Sequence, residues 1–259
     1  MKFQSRRYSP DGRREIILFT FTPPHILWGL IFWGEKMTQK TNLKKISVTA
    51  MLCALAYICM FVFKFKVSFL TFDFKDAILT VIAFLYGPIY AVVSSFLVAF
   101  IEFLSVSDTG VYGLIMNALS SAVFSATCGI IYKYRRTLLG AIFASVAAVL
   151  SMTAVMLVAN IFITPFYMGV ARADVAAMIP SLLLPFNLIK GVVNAAITMI
   201  IYKPITTALK KVGLSNNKTA KTDLKKFIPL ALSALLLLII AVIIILFALD
   251  GNFEIISKK

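Results

Sequence analysis

The chain has 259 residues, of which 60% are hydrophobic and only 14% charged, with a net charge of +15, and its mean hydropathy is +0.92. Such values exclude an ordinary soluble domain and place the chain in a membrane. The surplus of lysine and arginine does not signal nucleic acid, because the cations gather in short clusters between apolar runs, which is how a membrane protein marks its cytoplasmic side. The single histidine, His25, and three cysteines at no metal-ligand spacing (Cys53, Cys59, Cys128) leave no evident catalytic or metal-binding set.

In chain order, residues 1–36 hold an apolar stretch interrupted by Pro23-Pro24, which removes backbone donors and makes a poor spanning helix. Met37 opens a short basic lead into the first strong span, so 1–36 read as a leader outside the native protein, or else 16–33 form an interfacial or signal-like segment. Apolar runs over 46–63, 89–104, 111–132, 138–163 and 179–202 suit helices that cross the bilayer. Residues 76–86 predict a short helix stopped at Gly87-Pro88, bringing the core to six helices within a domain at 37–205. A basic linker (206–227), a seventh, purely apolar helix (228–249) and a short tail (250–259) follow. The fold class is thus an all-α integral membrane protein, a six-helix core with one additional transmembrane helix.

Lys44-Lys45, the run 133–136 and the basic residues of 203–226 fall on one side of a six-span core, which the positive-inside rule makes cytoplasmic. The core then has both ends inside, and the seventh helix carries the C-terminus out. Lys64, Lys66 and Lys75 break this pattern, sharing an outer loop with Asp73 and Asp76.

Polar residues inside the spans sort by depth. Glu102, Asn117, Asn160, Asn187 and Lys190, from four helices, all fall in the outer half of the bilayer on this topology. An unpartnered lysine near the bilayer centre costs at least about 2.5 kcal/mol, so Lys190 either pairs within the helices, with Glu102 for example, or faces a polar cavity with a ligand. Asn187, Lys190 and Asn194, three and four apart, share one helical face. The loop KFKVSFLTFDFKD, with Phe69, Leu70, Phe72, Asp73 and Phe74, either packs on the helix ends or closes over a planar ligand as a lid. In the first span Ala50 and Ala54, with Ala56 nearby, let another helix approach closely.

The short second helix, the FLTFDFKD loop, the Ala50-x-x-x-Ala54 pair, the region of Asn117 and the NLIKG run together resemble the S components of energy-coupling factor (ECF) vitamin transporters, most of all the riboflavin-specific ones. The resemblance covers about residues 40–205. It implies a subunit that binds riboflavin from outside as a transported ligand, with no cofactor and no ATPase of its own. It would dock through its first helix on a coupling membrane protein served by two ABC-type ATPases. By position, Asn187 and Lys190 would hydrogen-bond the isoalloxazine edge, Asn117 would add a polar contact, and the 69–74 loop would help close the site. Glu102 and Asn160 enter from depth alone. The leader and the seventh helix lie outside the usual six-span core. A same-family protein for folate or another heterocycle is the nearest alternative, although a carboxylated vitamin calls for arginine, and the outer loops supply only Arg172. A secondary transporter would commonly show repeated halves, and an enzyme a catalytic constellation; neither is seen.

Overall fold

The computed structural model describes residues 39–106 and 109–214. The leader, His25, Met37, the end of the linker, the helix at 228–249 and the tail lie outside the described residues. Helix α1 (Gln39–Val62) leads into a β-hairpin, β1 (Phe65–Val67) and β2 (Leu70–Phe72). Then come α2 (Lys75–Tyr86), α3 (Pro88–Val106), α4 (Gly110–Tyr134), α5 (Leu138–Met168), the short α6 (Arg172–Ala177), a π-helical turn (Ile179–Leu183) and α7 (Leu184–Lys211). The last span and the first residues of the linker form one helix across the boundary expected at 205.

Among the described residues, five helices are long and apolar enough to cross a membrane: α1, α3, α4, α5, and α7 with the π turn. The expected sixth, α2, has 12 residues, which at 1.5 Å per residue reach only about 18 Å. It survives its shortness because it meets protein rather than lipid: every residue from Lys75 to Leu85 is buried, wedged among α1, α3, α4 and α7. Gly87 ends it with φ of 99°, a conformation that costs glycine little, while its N–H closes onto the Ala83 carbonyl. Pro88 then opens α3 at a first-turn position, where its missing N–H leaves no bond unmade. A tight turn with one residue, Gly87, between the helices is therefore written in the Gly-Pro pair.

Outward faces of the long helices are apolar, including Phe96, Leu104, Phe143 and Phe166; so much exposed hydrocarbon suits a lipid environment. Inside, one apolar cluster joins Val48, Leu52 and Ala56 of α1 to Leu79 and Ile82 of α2 and Val98 of α3. A second joins Phe124 and Cys128 of α4 to Ala144, Ala148 and Met152 of α5 and Met199 of α7. Where α4 passes the α2–α3 turn, Gly129 admits the close approach, since a Cβ there would lie 2.9 Å from Ala83 Cβ and 3.3 Å from the Pro88 backbone. Gly129→Val should therefore destabilise the fold by about 1–3 kcal/mol, read as a lower thermal unfolding temperature in detergent; an unchanged temperature would refute the tight packing.

The segment expected to be a loop after α1 is an ordered antiparallel hairpin pairing Phe65 with Phe72, Lys66 with Thr71 and Val67 with Leu70. Ser68 takes a left-handed conformation at its turn (φ 57°). Its second strand does not present free aromatics: Phe72 is 1% exposed, set edge-on to Phe74 at 5.7 Å and Phe186 at 6.0 Å. Phe72 thus packs on the helix ends, the plainer of the two readings of this segment.

Candidate functional site

At the end of the bundle where α1, α3 and α5 finish and α2, α4 and α7 begin, the hairpin borders a cavity whose empty space, counted out through its open mouth, is about 630 Å³. Its wall comes from Phe69, Leu70 and Thr71 of the hairpin, the first turns of α4, the last turns of α5 and the start of α7. Six of the residues singled out from the sequence line it: Phe69, Leu70, Asn117, Asn160, Asn187 and Lys190. Three do not. Phe72, Asp73 and Glu102 lie behind the wall, Phe72 in the packing just described and the two carboxylates in a buried ion network.

That network accounts for Lys190. Its ammonium lies 3.2 Å from Asp73 Oδ2 and donates to the Thr71 carbonyl at 3.3 Å, so its partner is Asp73 and not Glu102. Asp73 Oδ2 is shared with Lys75 Nζ at 3.4 Å, and Lys75 in turn meets Glu102 Oε2 at 2.6 Å. Lys64 closes the chain on Glu102 Oε1 at 3.0 Å. Asp76 lies within electrostatic reach of Lys190 and Lys75 and accepts from the Ser121 hydroxyl. Three ammonium groups thus face three carboxylates in the protein interior. Two of the three lysines that broke the charge rule, Lys64 and Lys75, are here bound to acids, Lys75 fully buried, so these two carry no topological signal. Asp73 sits in the turn before α2, outside the spanning helices. Burial alone would raise its pKa, but Lys190 and Lys75 together hold it down at about 2.

The three polar residues on one face of α7 divide their tasks. Asn194 fastens α2, its Nδ2 donating to the Asp73 carbonyl and its Oδ1 accepting from the Ala77 N–H. Asn187 sits just after the π turn, and its Nδ2 donates to the Leu183 carbonyl at 2.7 Å. With its nitrogen turned to that carbonyl, its Oδ1 is an acceptor available to the cavity. Pi turns recur at functional sites, and no residue pattern announced this one. Asn160 is spent within α5, donating to the Met156 carbonyl and accepting from the Thr164 hydroxyl.

Sequence reasoning missed Thr71, Ser120, Phe186 and Tyr167 on the cavity wall. Ser120 stands three residues after Asn117, a helical-face spacing that could have flagged it. Arg172 takes no part; its guanidinium lies 5.5 Å over the Phe162 ring. Ala50 and Ala54 are exposed on α1, while Ala56 is buried in the core.

The profile of the family described as "ECF transporter, substrate-specific component" matches residues 44–202. The riboflavin transporter RibU of Staphylococcus aureus (strain TCH60) is 30% identical over 189 residues, covering 69% of this chain and 98% of that protein. The riboflavin transporter RibU of Streptococcus thermophilus (strain ATCC BAA-250 / LMG 18311) is 28% identical over 185 residues, 66% of this chain and 87% of that one. A solved structure, "Structure and mechanism of the S component of a bacterial ECF transporter", is similar with a TM-score of 0.56 at 28% identity, covering 65% of this chain and 99% of that chain.

Proposed function

Because the chain belongs to the substrate-specific components of ECF transporters, membrane subunits that bind a transported substrate and are not enzymes, we propose that its own substrate is riboflavin. The observation that carries the reading is the wall of the cavity, where the ammonium of Lys190, the Asn187 carbonyl and the aromatic rings of Phe69, Phe186 and Tyr167 meet. A lysine donor beside an amide acceptor matches the carbonyl and N–H groups on the edge of an isoalloxazine, and the rings suit its flat face. The names of the two relatives support the same substrate.

A carboxylated vitamin is less well served: among the described residues no arginine lines the cavity, and Arg172 is engaged with Phe162. On the orientation that the positive-inside rule gives, the cavity end of the bundle faces outward, and the substrate enters there. Release of the bound vitamin into the cytoplasm then depends on a coupling membrane protein and two ABC-type ATPases, met through the Ala50 and Ala54 stripe of α1, whose small side chains permit close helix approach.

The test is direct. The full chain, purified in detergent without added ligand, should carry or take up riboflavin, seen as flavin absorbance bands or as quenching of riboflavin fluorescence on titration. A protein that neither carries flavin nor quenches it refutes the assignment and brings folate and other heterocycles forward. On the same titration Asn187→Ala should weaken binding by about tenfold or more. Asn160→Ala, whose amide is already satisfied inside α5, should cost much less; equal losses would count against the site as drawn.

A further inference from the structure

Glu102 is buried at 2% exposure on α3, does not line the cavity, and yet touches a residue that does: Asn117 Nδ2 donates to Glu102 Oε1 at 3.1 Å. We infer that Glu102 is a positioning residue of the binding site, holding the Asn117 nitrogen toward itself so that Asn117 turns its carbonyl oxygen to the ligand as a hydrogen-bond acceptor.

The chemistry is one-sided. A carboxylate offers lone pairs and no donor, so the amide must turn its NH₂ toward Glu102, and its carbonyl oxygen is left on the cavity side. Glu102 cannot swing away to release it, because Lys64 grips Oε1 at 3.0 Å and Lys75 grips Oε2 at 2.6 Å. Asn187 is locked in the same sense by the Leu183 carbonyl. Asn117 and Asn187 therefore each turn a carbonyl oxygen to the cavity, and one turn beyond Asn117 the Ser120 hydroxyl, buried and without a hydrogen-bond partner among the described residues, borders the same cavity. A bound molecule that brings a donor, hydroxyl or N–H, to Asn117 satisfies its carbonyl, whereas one that offers only acceptors there leaves that carbonyl unpaired; the Ser120 hydroxyl beside it can donate or accept. Glu102 enforces that choice without touching the ligand.

The inference rests on riboflavin as substrate, and the experiment separates the two. Riboflavin quenching is titrated on the full chain and on Glu102→Gln, Asn117→Asp, Asn117→Ala and the two double variants, with thermal unfolding of each ligand-free protein recorded alongside. Glu102→Gln frees the Asn117 amide to flip and should weaken binding about tenfold. Asn117→Asp sets two carboxylates together and should weaken it further. Adding Glu102→Gln to Asn117→Asp restores a donor opposite an acceptor while keeping one negative charge near Lys64 and Lys75, and should recover binding by about tenfold. In the Asn117→Ala background, Glu102→Gln should cost less than about threefold, since the residue it positions is gone. Equal cost of Glu102→Gln with and without Asn117, or a double variant that regains its unfolding temperature but not its affinity, overturns the positioning role. A wild-type chain that fails to quench riboflavin overturns the substrate reading, and this role falls with it.

Discussion

Lys190→Ala is expected to abolish measurable riboflavin binding, a loss of at least about a hundredfold. Two effects add. The ammonium is the one cation on the cavity wall among the described residues, and a charge-assisted hydrogen bond to a ligand carbonyl is among the stronger contacts a small site offers. The same ammonium bonds the Thr71 carbonyl of the hairpin and Asp73 behind it, so its removal also unfastens the cover of the cavity and leaves Asp73 with Lys75 alone. Titration of riboflavin fluorescence measures the loss; affinity retained within about threefold would show that the ligand does not contact Lys190.

Asp73→Ala is expected to produce the largest loss of stability, about 3–5 kcal/mol, the cost of removing one member of a buried ion pair and leaving its partners uncompensated. Here two cations, Lys75 and Lys190, share the missing carboxylate. Thermal or denaturant unfolding in detergent checks it, and a loss below about 1 kcal/mol would reduce the pair to the level of a surface contact. The pKa of Asp73 adds a signature in acid. Its folded value, about 2, lies below the unfolded value of about 3.9, so the stabilisation is complete above about pH 4 and is lost as pH falls toward 2. In Asp73→Asn that part of the acid destabilisation should vanish while the rest remains.

Glu102 and Lys190 show how far depth in the membrane carries as an argument. Counting residues from the helix ends brought Glu102, Asn117, Asn160, Asn187 and Lys190 to one end of the bundle, and three of them with Lys190 border one cavity there. Depth along a helix axis does not state which way a side chain points around it. Glu102 faces Lys64, just past the end of α1, and Lys75 of α2, and it reaches the cavity only through Asn117. The pairing of Lys190 was equally hidden, because Asp73 is 117 residues away in the chain, and only packing of the hairpin on α7 makes them neighbours.

What the sequence determined by itself is whatever depends on local pattern. Apolar runs of spanning length, the Gly87-Pro88 stop and the clustering of cations specify a helical membrane protein and its element order, because hydrocarbon thickness and helix rise set those lengths without reference to fold. The same runs could not show that α2 is enclosed by protein, since a buried apolar helix and a lipid-facing one read alike. The hairpin escaped notice for a related reason: three-residue strands are too short for alternation to stand out in an aromatic-rich stretch. Tertiary structure alone decided which acid holds which lysine, which face of each amide meets the cavity and which polar residues are spent on the frame. Those are long-range contacts in a low-dielectric interior, where a charge must find its partner wherever the fold brings one near.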